Sequence, residues 1–165
     1  MEEFGTIGLA EVVFERRFDA PPDRIWRALT DPTELAGWLA PAEIDMRVGG
    51  SVVIKFDVGN ERGTITELRE PELLAYTWNE GATDSVVRFE LERDNTGTRL
   101  TLRHSFEGFV DLSDFGGGWH HHLEMLTAQV AGRPVGWDSI RFRELKSEYE
   151  RRAQQRREAQ LAREH

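Results

Sequence analysis

The stretch GGGWHHHLEMLTAQVAG, residues 116–132, follows a long run of strand-like segments and abandons their period of two. At about 100° per residue, four of its apolar residues fall within one narrow stripe: Trp119, Leu123, Leu126 and Val130. Gly132 stands where a C-cap glycine is common. The spacing predicts an amphipathic helix that packs on the strands before it. The three glycines are expected to make its entry flexible, with residues 109–118 as a loop.

The preceding chain alternates apolar and polar residues, which is typical of half-buried strands. The predicted strands cover residues 11–18, 51–58, 62–70, 72–80, 84–94 and 98–108. Val52, Ile54, Phe56 and Val58 are expected to share one face. Short turns between the strands indicate an antiparallel meander with one face on the core.

Two short helices are predicted between the first two strands. The first follows the prolines of APPDRIWRAL, residues 20–29. The second begins at Asp31 as N-cap, with Pro32 at its first position and Glu34 as a capping-box glutamate.

Composition excludes several classes of protein. The chain has a formal charge of −9, and residues 138–165 alone are slightly basic, so the rest is strongly acidic and repels a nucleic-acid backbone. The chain has no cysteine. No apolar run reaches about 18 residues, so we expect no membrane span. The N-terminal MEEFGTIG has no apolar segment, so we expect no secretory signal. A cytoplasmic location is the expectation. No nucleotide or metal signature is present, so no cofactor is predicted.

Three quoted blocks carry a family resemblance: FDAPPDRIWRALTDPTELAGWL (18–39), VGGSVVIKF (48–56) and the helix of residues 116–132. Together they resemble the helix-grip fold of the START-like, or SRPBCC, superfamily, in the branch of the activator of heat-shock protein 90 ATPase homologues. The resemblance covers residues 11–132. It implies an α+β fold in which a curved antiparallel sheet wraps around a long C-terminal helix. The predicted domain is 1–136, with 137–165 as an extra charged helical extension.

Such folds enclose a largely apolar cavity between the sheet and the last domain helix, and their members bind apolar small molecules. The resemblance and the strand parity place nine candidate ligand-binding residues at that interface: Trp38, Phe56, Tyr76, Trp78, Phe89, His104, Trp119, His122 and Leu126. A closed core would use the aromatic residues in the same way, so packing and ligand contact both stay open.

The three adjacent histidines cannot bind one metal ion, because consecutive residues on a helix spread over about 200°. His120 and His121 fall off the apolar stripe and are expected to be exposed or at an edge. His122 flanks the stripe, and His104 shares its parity with Leu102 and Phe106. Either of these two can be a core histidine, or can offer a donor and an acceptor to a ligand.

The sequence leaves three functions open for this chain. The first is binding of an apolar small molecule, oriented by His104, His122 or Tyr76. The second is a cyclase- or dehydratase-type enzyme that uses an imidazole of the same cavity as acid or base. The third is a co-chaperone-like interaction domain, with a protein partner or a homodimer formed through the 138–163 helix.

Overall fold

A computed structural model describes residues 3–7, 10–78, 84–108 and 111–164, so the predictions for residues 79–80 and 109–110 lie outside it. Within these ranges the chain forms one sheet of eight strands and four helices. The strands are β1 Thr6–Ile7, β2 Glu11–Phe18, β3 Ala42–Ile44, β4 Ser51–Phe56, β5 Gly59–Arg69, β6 Leu73–Trp78, β7 Ser85–Asp94 and β8 Gly97–Phe106. Their order is β1-β2-β8-β7-β6-β5-β4-β3, and every neighbouring pair is antiparallel.

The inner face of the sheet is built by the predicted alternation. Leu102 of β8 pairs with Phe14 of β2 on one side and with Phe89 of β7 on the other, and all three side chains are buried. Val58 departs from the prediction, since it is fully exposed. The reason is that β4 ends at Phe56 and the chain turns there, so the period of two no longer applies to Val58.

The two short helices lie where they were predicted. Helix α1 covers Pro22–Thr30 and α2 covers Pro32–Trp38. The Asp31 side chain accepts a hydrogen bond from the Thr33 N–H at 2.8 Å and caps α2. The capping-box role of Glu34 is wrong, because its carboxylate instead accepts a hydrogen bond from Gln129 Nε2 at 2.7 Å. Gln129, from another helix, has thus replaced the Asp31 backbone N–H that a capping box would use.

Helix α3, Ser113–Val130, lies on the sheet with its apolar stripe inward. Trp119 is 3% exposed, and Leu123 and Leu126 are completely buried. The predicted loop over residues 109–118 is wrong from Ser113 onward, because α3 begins there, whereas residues 111–112 lie outside the helix. A glycine run is a poor helix former by itself, and here tertiary packing overrides that preference.

The close packing of helix α4, Ser139–Arg163, against α3 explains why residues 116 and 117 are glycines. A Cβ atom on Gly116 would lie 2.8 Å from the ring of Tyr149, and one on Gly117 would lie 2.9 Å from the backbone nitrogen of Lys146. Only glycine lets the two helices approach so closely. Tyr149 and Leu145 are buried, while the far end of α4 is solvated, with Leu161 57% exposed. Neither α4 nor any other described helix is long and apolar enough to cross a membrane.

The same contact corrects the prediction for two histidines. His120 and His121 are 2% and 4% exposed. His120 Nδ1 lies 2.9 Å from the Tyr149 hydroxyl oxygen. His121 Nε2 accepts a hydrogen bond from the Asp138 N–H at 2.9 Å, so its Nδ1–H donates to Glu124 at 3.1 Å. His121 thus joins α3 to the start of α4, and His120 joins it to the middle of α4. Helix α4 covers the face of α3 that the helical wheel predicts to be exposed.

Replacement of Gly116 by alanine is therefore expected to lower the free energy of unfolding by about 1–2 kcal/mol, because overpacking against Tyr149 exceeds the gain in helix propensity. Gly118 is the matched control on the same helix, since a Cβ atom there meets nothing within 4 Å. Gly118→Ala should raise stability by up to about 1 kcal/mol. Urea denaturation of the three proteins measures both effects, and equal stability of the two variants would contradict the close approach.

Candidate functional site

A small pocket opens at one end of the interface between the sheet and α3, and we call it the end pocket. Its volume is about 110 Å³. The ends of β4 and β6, the residue after α2 and the first half of α3 form its walls. The lining residues are Leu39, Phe56, Trp78, Asp114, Phe115, Gly118, Trp119 and His122.

Aromatic rings make most of these walls. The ring centroids of Trp78 and Trp119 are 5.4 Å apart, and those of Phe56 and Trp78 are 6.1 Å apart. The imidazole of His122 lies 5.9 Å from Phe56 and 6.2 Å from Trp119. All four pairs are tilted or edge-on, a geometry that aromatic contacts favour. The described walls thus form an apolar slot that contains one imidazole ring.

The tautomer of His122 is set by a backbone carbonyl. Its Nδ1 lies 2.9 Å from the Trp38 oxygen, which can only accept, so Nδ1 carries the hydrogen. Burial lowers the pKa of His122 to about 4, with a smaller lowering from nearby His121, although the hydrogen bond to Trp38 opposes both. Near neutral pH the ring is uncharged, and Nε2 holds a lone pair.

His104 lies behind the pocket in a chain of hydrogen bonds. The Trp119 indole N–H donates to His104 Nδ1 at 3.0 Å. Because an indole nitrogen only donates, His104 carries its hydrogen on Nε2 and donates to Ser85 Oγ at 2.9 Å. The Ser85 hydroxyl in turn donates to the Trp78 carbonyl at 3.0 Å. This relay connects α3 with β8, β7 and β6.

The direction of the relay does not suit nucleophilic catalysis. A serine nucleophile needs an unprotonated histidine nitrogen beside its hydroxyl, whereas His104 presents an N–H to Ser85. Burial lowers the pKa of His104 to about 3, so the ring stays neutral over the physiological range. His104 and Ser85 thus hold the wall of the end pocket in place, and their geometry gives no support to hydrolysis.

The structure divides the predicted site residues into three groups. Phe56, Trp78, Trp119 and His122 line the end pocket. Tyr76, Phe89 and His104 stand behind that wall, with Tyr76 stacked on Trp78 at 6.4 Å and Phe89 edge-on to Trp119 at 6.0 Å. Trp38 and Leu126 lie in the core, and the Trp38 indole N–H donates to the Ala28 carbonyl at 2.8 Å.

Sequence reasoning missed four of the eight described lining residues: Leu39, Asp114, Phe115 and Gly118. Phe115 and Gly118 belong to the turn of α3 that was predicted to be a loop. Phe115, Trp119 and His122 follow the i, i+4, i+7 spacing of one helix face, so extending the helical pattern toward the N-terminus identifies Phe115. Asp114 at the rim pairs with Lys146 at 3.0 Å, a contact between α3 and α4 that no local pattern signals.

Other surfaces are less suited to a ligand of this kind. Two larger clefts lie on charged surface. One, of about 550 Å³, is lined by Arg16, Arg17 and Arg99. The other, of about 640 Å³, is lined by Arg69, Arg88 and Glu90. Neither contains a residue of the predicted site. Across the described ranges, no three His, Asp or Glu side chains converge as a metal site would require.

The two neutral histidines predict a pH dependence of stability. An unfolded histidine has a pKa of about 6.5, whereas His104 and His122 titrate near 3 and 4 in the folded chain. Between these values the unfolded state binds more protons, so their contribution is complete above about pH 6.5 and is lost as the pH falls.

We expect the free energy of unfolding to fall by up to about 1.4 kcal/mol per pH unit for each histidine. His104→Asn keeps an acceptor for the Trp119 N–H and removes one titration, so the slope between pH 6 and 4.5 should become shallower by about that amount. Chemical denaturation across this range measures the slope. An unchanged slope in the variant would show that His104 is not held neutral by the fold.

Comparison with known proteins gives the fold and the family. A crystal structure of CalU16 from Micromonospora echinospora is 30% identical, with 84% of this chain and 85% of that chain covered and a TM-score of 0.72. Protein MLL2253 from Mesorhizobium loti is 31% identical over 76% of this chain and 99% of that chain, with a TM-score of 0.68. PFC0360w, an HSP90 activator from Plasmodium falciparum, is 22% identical over 76% and 98%, with a TM-score of 0.64, and shares the fold.

The sequence itself carries a family match as well. No curated protein matches this chain. The family described as "Activator of Hsp90 ATPase homolog 1-like protein" matches residues 19–131, which run from the end of β2 through α3 and include the described residues that line the end pocket. The eight-stranded sheet gripping α3 is the helix-grip fold of the SRPBCC superfamily, and this chain belongs to the Activator of Hsp90 ATPase homolog 1-like family within it.

Proposed function

We propose that this protein binds a small apolar molecule, of about the size of one aromatic ring, in the end pocket. The observation that carries the proposal is the slot between Phe56, Trp78 and Trp119, with one imidazole in its wall. Ligand sites in proteins combine predominantly apolar walls with few polar groups, and they often lie where layers of a fold meet. The family commonly binds ligands, and the pocket lies within the matched residues.

The dimensions of the pocket limit what can enter it. An apolar cavity of about 150 Å³ accepts benzene, and the end pocket has a volume of about 110 Å³. The wide cavity implied by the family resemblance is largely filled here by aromatic side chains. A polycyclic ligand would require Trp119 to move, and its hydrogen bond to the buried His104 opposes that movement.

The expected affinity follows from the same dimensions. A single ring that buries about 120 Å² of apolar surface gains about 3 kcal/mol at 25 cal/mol per Å². Even before the loss of freedom on binding is set against it, this gain corresponds to a dissociation constant of about 6 mM, so the ring alone is expected to bind at millimolar concentrations or more weakly. Any tighter natural ligand would need polar contacts in addition.

The test uses toluene as the probe and the indole N–H signals of the tryptophans in ¹H–¹⁵N NMR spectra as the readout. Toluene should shift the Trp78 and Trp119 signals saturably, because both rings line the pocket. Gly118→Leu should abolish the saturable shifts, since its side chain extends into the open space beside Gly118. This variant keeps Trp119 and its bond to His104, which Trp119→Ala would remove.

Gly136→Ala is the control, because a Cβ atom there also meets nothing within 4 Å and Gly136 does not line the pocket. It should leave toluene binding unchanged. Saturable shifts that persist in Gly118→Leu would assign toluene to another surface. The absence of any toluene-dependent shift of the Trp78 and Trp119 signals in the unmodified protein, up to the solubility of toluene, would overturn the proposed function.

A further inference from the structure

We infer that the ligand of the end pocket carries a neutral hydrogen-bond donor, an alcohol or phenol O–H or an N–H, which it directs at Nε2 of His122. This inference rests on the proposed function and adds the chemical class of the ligand to it.

The backbone decides which ring nitrogen of His122 is available. Trp38 is the last residue of α2, so its carbonyl belongs to the set that a helix leaves without an internal partner. His122 Nδ1–H satisfies it at 2.9 Å. A reversed tautomer would place a lone pair against this carbonyl and leave it unpaired, which is costly for a largely buried group. Nε2 is therefore the acceptor.

Among the residues that the structure describes, none forms a hydrogen bond with Nε2 of His122, whose ring bonds only through Nδ1. The contacts of the His122 ring are instead with aromatic faces and edges: Phe56 at 5.9 Å, Trp119 at 6.2 Å and Trp137 at 4.9 Å. When a hydrogen-bond acceptor is surrounded by apolar rings, a donor on the ligand that bonds to it raises the affinity. A second acceptor placed beside it lowers the affinity.

Charge excludes a further class of ligand. Asp114 stands at the rim of the end pocket and pairs with Lys146 at 3.0 Å, so this lysine is not free to meet an anion. The pocket walls contain no cationic side chain among the described residues. A carboxylate or phosphate ligand would meet the Nε2 lone pair and the Asp114 carboxylate together, within a chain of net charge −9. The observations thus favour a neutral donor on a small ring.

The test compares phenol with toluene, which has nearly the same shape but no donor. In the unmodified protein, the ratio of the toluene to the phenol dissociation constant should exceed the same ratio in His122→Asn by about 2- to 10-fold, which corresponds to the free energy of one hydrogen bond. His122→Asn suits the comparison because its amide N–H can still donate to the Trp38 carbonyl, while Nε2 is removed. Benzoate should bind at least 10-fold more weakly than phenol.

A second measurement tests the tautomer without a ligand. Long-range ¹H–¹⁵N spectra of the imidazole should show His122 with its hydrogen on Nδ1 at pH 7, and phenol but not toluene should shift the Nε2 resonance. An Nε2–H tautomer, or equal ligand ratios in the two proteins while toluene still binds, would overturn the donor inference and leave the proposed function standing. Failure of both probes to bind would overturn the proposed function itself.

Discussion

The hydrogen bond from the Trp119 indole to His104 holds the central helix at a defined position on the sheet. It lies within a fully buried layer, and it continues through Ser85 to the carbonyl of Trp78. Each group in this relay has one role, because indole only donates and a carbonyl only accepts. Trp78 and Trp119, which both line the end pocket, are thus joined by buried bonds, and this constraint keeps the pocket small.

The second constraint acts on the other face of α3. Gly116 and Gly117 allow α4 to approach so closely that Tyr149 is fully buried and the Gly5 N–H donates to its hydroxyl at 2.8 Å. His120 and His121 complete this contact. The helix gripped by the sheet is therefore also covered from behind, so the first half of α4 is part of the packed structure. One histidine of the three, His122, turns toward the pocket.

Most of the fold was predictable because it depends on local periods. Strands β2 and β4 to β8, helices α1 and α2 and the inward stripe of α3 all follow from alternation, helical spacing and proline positions. Four of the nine predicted site residues line the pocket for the same reason, since parity and the helical wheel identify which side faces inward. Errors occurred where a partner distant in sequence replaced a local one, as Gln129 did at Glu34.

Periodicity alone predicts that a sheet packs on the Trp119–Leu123–Leu126 stripe, because burial of apolar side chains at periods of 2 and 3.6 leaves few alternatives. Long-range contacts instead determine the burial of His120 and His121, the helical state of the glycine run and the tautomers of His104 and His122. Each of these depends on a group that is distant in the sequence. His120 contacts Tyr149 of α4, and His121 contacts Asp138, the N-cap of α4. The tautomer of His104 depends on the Trp119 indole, and that of His122 on the Trp38 carbonyl at the end of α2. No local pattern records such contacts, because they arise only when separate elements are brought together.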